Sequence, residues 1–407
     1  MLKNYFKIAI AVLKRRKFFT FISLFGISFT LATLLVLTSF LDKVINDEYP
    51  DAKRSRSIYV TGIEERGKGT RSSSALSLGY VNKYILHMKT PAAIAFHSMQ
   101  IGTNAYHNGK KISVNYKFVN SVFWDIMEFD FLQGKPFSAQ QVNSLDKVAV
   151  ISQDLSDAYF GIGEPAVGKY LEVGNDKYRI SGVVKNVPAT AYMLNGDMYI
   201  PYTLSQDNPN EQTYFGSWNA VLLARSKSDM PLIQKEYEDI IARLPHSDKR
   251  FTKTLSNADE YLDAYMRAGN QDGKSKTWIY TALGIFVFLI VLLPVVNLVN
   301  INITRIMERS SEIAVRKAFG ATANTLVYQF IVENIILTLL GGLFGLLLAQ
   351  FFLWILNGAA LLTNVHLTLN LTVLFTGLLI CLIFGFLSGV YPAWRMSRFP
   401  IIKALKA

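Results

Sequence analysis

Residues 268–275, AGNQDGKS, come within one residue of G-x-x-x-x-G-K-[ST], the loop whose backbone amides cradle nucleotide phosphates. Ala268 stands where the first glycine is needed, no apolar strand precedes it, and an uncharged apolar run begins three residues later. The segment reads as a flexible juxtamembrane hinge, so ATP hydrolysis connected with this chain would belong to another polypeptide. His87, His97, His107, His246 and His366 show neither H-E-x-x-H nor regular spacing, and no G-x-S-x-G occurs. Asp125, Glu128 and Asp130 read as solvated carboxylates beside a turn. No catalytic, cofactor or metal site is expected, and the chain is expected not to be an enzyme. Glu333 is the one ionisable residue near the interior of an apolar stretch. It is open to two readings, a structural or coupling role paired with Arg316 or Lys317, and a simple interfacial position.

The elements that would carry these residues follow from where the apolar residues bunch. Phe18–Leu41, Trp278–Ile303, Asn334–Leu356 and Leu371–Trp394 contain no charge, and each is long enough to cross ~30 Å of hydrocarbon as a helix. The formal charge of +12 is a topology signal. Residues 1–17 hold six Lys/Arg, the 304–322 loop four and the tail after Trp394 four, whereas 42–276 holds 28 basic and 27 acidic residues. By the positive-inside rule both termini and the 304–322 loop are cytoplasmic and 42–276 lies outside, which disposes of a nucleic-acid partner. The first apolar run is too long for a cleaved signal and no small-x-small site follows it, so it is expected to stay as an anchor. The sole cysteine, Cys381, falls in the fourth run, so 42–276 must be stable without a disulfide.

These signals predict an α-helical membrane protein with four transmembrane helices and a large extracytoplasmic α+β domain inserted between helices 1 and 2. The predicted segments are an amphipathic cytoplasmic helix (1–17), helix 1 (18–41), the outer domain (42–276), helix 2 (277–303), a cytoplasmic segment (304–322), helix 3 (323–356), a short external loop (357–370), helix 4 (371–394) and a cytoplasmic tail (395–407). Residues 1–17 either lie on the inner leaflet, with membrane lipids as partner, or extend helix 1. In the outer domain, strands are expected at 57–61, 111–119, 148–152, 170–173, 178–187, 198–202 and 219–224, and helices at 80–88, 121–127, 153–159 and 231–244. Gly341 and Gly345, and Gly385 and Gly389, have the G-x-x-x-G spacing at which helices approach closely, within one chain or between two.

Met307–Thr322, MERSSEIAVRKAFGAT, has the makings of a short amphipathic helix. Ser310 or Ser311 is placed to cap it, Glu312 and Arg316 form an i,i+4 pair, Gly320 is placed to end it, and Ile313, Val315 and Phe319 leave an apolar edge. It is either a handle that a second protein grips or an ordinary basic loop.

This segment and the closing YPAWRMSRFPIIKALK resemble the permeases of the MacB/FtsX family of ABC transporters. Glu312, Ile313, Arg316, Lys317, Ala318, Gly320 and Ala321 match that family's Glu-Ile-x-x-Arg-Lys-Ala-x-Gly-Ala loop. Tyr391, Pro392, Ala393, Pro400, Ala404 and Leu405 match its closing pattern, with Met396 where a small residue is usual. VNSVFWDIMEFDFLQGKPFS and the DKVAV to KNVP stretch resemble the MacB-like periplasmic core domain, with an inserted subdomain around 186–218. The resemblance implies a permease subunit, homodimeric or heterodimeric, in the bacterial inner membrane. It would couple ATP hydrolysis by a separate ABC ATPase subunit to movement of the outer domain, for export or extraction of a substrate, alongside a possible periplasmic partner or adaptor. Glu312, Ile313, Arg316, Lys317 and Phe319 would form the ATPase-coupling helix. FtsX-like relatives supply the alternative, a signalling or scaffold protein that regulates a periplasmic or cell-wall partner without transport.

Overall fold

The structure, a computed structural model, describes residues 17–267, 270–308, 323–359 and 364–379, with 382, 383 and 386. The chain forms two units, one of 43–280 with 362–365, the other of 1–42, 281–361 and 366–407.

The first unit is the α+β domain. Its strands in chain order are β1 (Ser57–Val60), β2 (Ile63–Gly67), β3 (Thr70–Leu76), β4 (Ala93–Ser98), β5 (Ile101–His107), β6 (Lys110–Val119), β7 (Phe131–Gly134), β8 (Val148–Ser152), β9 (Tyr170–Val173), β10 (Asp176–Val184), β11 (Met198–Pro201), β12 (Phe215–Gly216), β13 (Trp218–Leu223) and β14 (Phe251–Ser256). Two lobes emerge from their pairing. In the first, β13 pairs with β4, β1 and β3, and the sheet continues through β2 to β14. Ile58, Val60, Leu76, Phe96, Trp218 and Leu222 form its core. A helix, Met230–Arg243, covers that core because Met230, Ile233 and Tyr237 recur at helical spacing and are all buried.

The second lobe is a ring. β6 pairs with β5 and β11, β11 with β8, β8 with β10, β10 with β9, and β9 returns to β5 through Ala105 and Val173. Closure removes the exposed edges that a sheet of this length would otherwise present. Ala105, Val114, Ile151, Leu171, Ile180 and Ile200 fill the interior, and the helix Gln153–Phe160 adds Leu155 and Tyr159. Asn108 and Gly109 turn the β5–β6 hairpin with φ of 49° and 74°, the left-handed geometry that suits strand twist.

The expected strands are all present within a few residues, as are the helices. The inserted subdomain around 186–218 is not a separate body. Met198–Pro201 is a strand of the ring, and Trp218 is buried in the core of the other lobe. The division instead falls after β4, where the chain leaves the first lobe, and before Tyr214 and β12, where it returns to pair with β3.

The second unit holds most of the long helices; α1 (Lys17–Ile45), whose last turn from Lys43 belongs to the first unit, is one 29-residue helix, continuing four residues past the expected boundary at 41. α2 (Lys274–Glu308) and α3 (Ala323–Gly358) are also continuous, and helix resumes at 371–379. Thr20–Ile45 and Ile335–Gly358 are each long and apolar enough to cross a membrane. The remaining expectations, for 1–16, 309–322, 380–381, 384–385 and 387–407, fall outside the described residues.

Residues 43–280 carry two packed cores and no cysteine. Expressed without the spans, they are expected to yield a soluble monomer with one cooperative denaturant transition that is unchanged by reductant, monitored by circular dichroism.

Candidate transmission site

Where α1 gives way to the 43–280 domain, the last helical carbonyls lack intrahelical partners. Arg54 supplies donors to them. Its Nη1 donates to the carbonyls of Val44 at 2.9 Å and Asn46 at 2.8 Å, and more distantly to Lys43 at 3.3 Å. The guanidinium is 2% exposed, pairs through Nε with Asp51 Oδ2 at 3.1 Å, and lies 3.9 Å from the centre of the Tyr261 ring. The Tyr59 hydroxyl donates to the same Asp51 oxygen. Burial lifts the Asp51 carboxyl above its ordinary value, against the pull of Arg54 and Tyr59.

The start of α2 is held in a similar way. Asp263, on the helix Tyr261–Arg267, accepts from Lys276 Nζ and from the Tyr280 hydroxyl at 2.8 Å. That helix is itself fixed by Arg267, whose Nη2 donates to Asp259 Oδ1 at 2.9 Å. Asp259 is tied through its backbone to Tyr59 on β1, N to O at 2.9 Å and O to N at 2.7 Å. One short path, Arg54–Asp51–Tyr59–Asp259–Arg267, therefore joins the end of α1 to the helix that grips the start of α2.

In the membrane unit, Ile27, Leu31 and Leu35 form a buried stripe on α1. A methyl group at Gly341 would sit 2.7 Å from Ile27 Cγ2, and one at Gly345 3.0 Å from both Leu31 Cβ and the Ser28 carbonyl. Ser28 Oγ donates to the Gly341 carbonyl at 3.0 Å. These two glycines thus bring α3 against α1 of the same chain. Small residues favour such approach because, in hydrocarbon, close contact rather than water exclusion holds helices together.

Of the other residues singled out from sequence, Glu312, Ile313, Arg316, Lys317 and Phe319 lie outside the described residues, as do Gly385 and Gly389. Glu333 falls within α3, but its side chain is not among those described. Sequence reasoning missed Arg54 and Asp263. Lys53-Arg54-Ser55-Arg56 reads as an exposed basic turn, and nothing in its spacing marks the second residue as the buried one. It also missed Lys117, which is 2% exposed on β6 and donates to the carbonyl of Met193 at 2.9 Å. Burial lowers the Lys117 pKa to about 8. His97, fully enclosed and close to that ammonium, is held neutral with its pKa lowered to about 3, first by burial and then by Lys117.

Comparison with known proteins identifies the class. A model of the MacB-like periplasmic core domain matches residues 20–240, more than half of the chain, and one of the FtsX-like permease C-terminal region matches 284–401. The chain belongs to the MacB/FtsX family of ABC transporter permeases, and it is a membrane-spanning protein with a MacB-like periplasmic domain. It is similar to macrolide export ATP-binding/permease protein MacB 2 of Yersinia pestis bv. Antiqua (strain Antiqua), 25% identical over 334 residues, 79% of this chain and 44% of that one. The uncharacterized ABC transporter permease YknZ of Bacillus subtilis (strain 168) is 23% identical over 291 residues, 71% of this chain and 68% of that one. The periplasmic region of MacB from Actinobacillus actinomycetemcomitans aligns in structure with a TM-score of 0.37 and 14% identity, over 52% of this chain and 93% of that one. The chain spans less than half the length of the first of these relatives.

Replacing Arg54 by Met is expected to destabilise the 43–280 domain by about 3–5 kcal/mol, because Asp51 is left buried without its partner. Adding Asp51→Asn should recover part of that loss in urea unfolding. Lys117 carries a pH signature. The unfolded chain keeps this proton up to the ordinary lysine value, whereas the folded domain releases it near pH 8. Between those values the unfolded state binds more protons, so stability climbs as pH rises. From pH 8 to 10.5 the wild type should gain about 3 kcal/mol relative to Lys117→Met, as measured by urea unfolding at a series of pH values.

Proposed function

We propose that this chain is the permease subunit of a MacB/FtsX-type ABC transporter, which couples ATP hydrolysis by a separate ATPase subunit to motion of its 43–280 domain. The observation that carries this reading is the short buried path from the end of α1 to the start of α2. A helix displaced from the cytoplasmic side would move whatever its far end is bonded to, and here both ends are bonded through Arg54 and Asp263 to one strand and one helix of the domain. A loose linker would dissipate the same displacement. On this reading four helices cross the inner membrane, both termini and 304–322 face the cytoplasm, and 42–276 faces outward.

The 304–322 segment is the docking element, with Glu312, Ile313, Arg316, Lys317 and Phe319 bearing on the ATPase. Two permease subunits, alike or different, would act together, and a periplasmic partner or adaptor would receive the motion. The result is mechanical transmission that exports a substrate or extracts it from the envelope. ATP chemistry stays on the partner, and Glu333 adds a structural or coupling role within the membrane.

Arg316→Glu and Phe319→Asp test the assignment. Neither residue supports a core on this reading, so each should cost ~0.5 kcal/mol or less in stability. A charge set at the interface should instead weaken docking several-fold or more. Co-purification of the ATPase and stimulation of its hydrolysis by the permease should fall while membrane insertion stays normal. Full ATPase binding and activity in both variants would remove the coupling assignment and favour a scaffold.

A further inference from the structure

A buried ammonium ordinarily sits beside a carboxylate, since a charge taken out of water is costly unless it is paired. Lys117 does not. Its Nζ donates to the Met193 carbonyl at 2.9 Å and, at 3.4 Å, to that of Ser98, and among the described residues no acidic oxygen lies within ion-pair distance. Two backbone oxygens leave one of its three donors unused and its charge uncompensated.

The same lysine lines a cavity of ≈ 490 Å³ within the 43–280 domain. That volume lies in the range of small-molecule sites. Thr61, Ser74, Gln100, Asn219 and Gln271 bring neutral hydrogen-bonding groups to the wall, and Met99, Met193 and Tyr192 bring apolar surface. Among the described residues no Asp or Glu lines it. His97, packed beside the lysine, is uncharged, so it neither competes for an anion nor adds to the positive charge.

We propose that this cavity is a binding site for a small organic carboxylate with an apolar body, with Lys117 as its counter-ion and Met99 and Met193 against its apolar part. A carboxylate is favoured over a bulkier, doubly charged group because one buried cation faces it and the rest of the wall is neutral. The bound anion would complete the ion pair that the fold leaves half made. Ala264 and Gln271 also line the cavity, so an occupant would touch the helix that holds Asp263 and the segment just beyond it. The assignment does not depend on the ATPase-coupling reading, and its test needs no ATPase.

The full-length chain in detergent, labelled with methyl-13C methionine, would be titrated with N-acetylmethionine, its uncharged amide and inorganic phosphate. The Met99 and Met193 methyl resonances, assigned by substitution, report on the cavity itself. Saturable shifts with the acid are expected, with binding at least tenfold weaker for the amide and for Lys117→Met. Asn219→Asp supplies a carboxylate from within, so it should weaken the acid at least tenfold as well, and it serves as the check if Lys117→Met does not fold. Equal shifts with acid and amide would mean an apolar cavity and overturn the proposal. So would binding undiminished in the variants, no saturable shift at millimolar acid, or saturation by phosphate alone.

Discussion

An arginine enclosed to 2% exposure must find acceptors for a rigid fork of donors, and Arg54 finds them where the first helix runs out of its own. The helix end has carbonyls without partners and the arginine has N–H groups without water, so through Nη1 each lessens the other's penalty, while Nη2 is left without a hydrogen-bond partner among the described residues. Asp51 then balances the charge and Tyr59 fills the remaining valence of that oxygen. The acceptors, at the last turn of α1 and the residue after it, lie in the same 43–280 unit as Asp51, Tyr59 and Tyr261, so displacing that turn from β1 would strand a buried charge. The end of the first helix and the position of β1 are therefore fixed together.

This constraint explains the asymmetry of the domain. The groups that bond the helix ends, Arg54 with Asp51 and Tyr59, and Asp263 with Asp259 and Arg267 behind it, belong to the lobe built on β13, while the ring side reaches the same stretch through Glu128 on Lys53 and Thr190 on Tyr261. The ring lobe contributes Lys117 and Met193 to the cavity, and the other lobe contributes Asn219 and Ser74. A ligand there would be sensed by both lobes.

Two of the apolar runs, 18–41 and 334–356, are plainly legible in the sequence as helices long and apolar enough to cross a membrane. So are the β-branched strands such as Val148–Ser152. Two of the strands that escape notice share a physical reason. Ile63–Gly67 and Thr70–Leu76 read as polar loop, since Glu64 and Glu65 look like surface residues. In the fold both are buried, Glu64 beneath Arg66 and Arg71, and Glu65 against Ser247 and Thr254. Charge that is neutralised across strands cannot be told from solvated charge along one dimension. The hairpin at Asn108-Gly109 does carry a local signal from which β5 could be placed. Arg54 and Lys117 carry none, because burial of a lone basic residue is a property of the neighbours the fold assembles.

The route by which the chain enters and leaves the ring has its own consequence. It departs after Ser98 and is back by β12, just ahead of Trp218, and Ser98 and Trp218 are direct cross-strand partners. An insertion whose ends meet across one rung of a ladder leaves the host sheet unbroken whatever its size. The ring could accordingly lengthen, shrink or be exchanged for another body over evolutionary time while the host sheet and the anchorage around Arg54 keep their form.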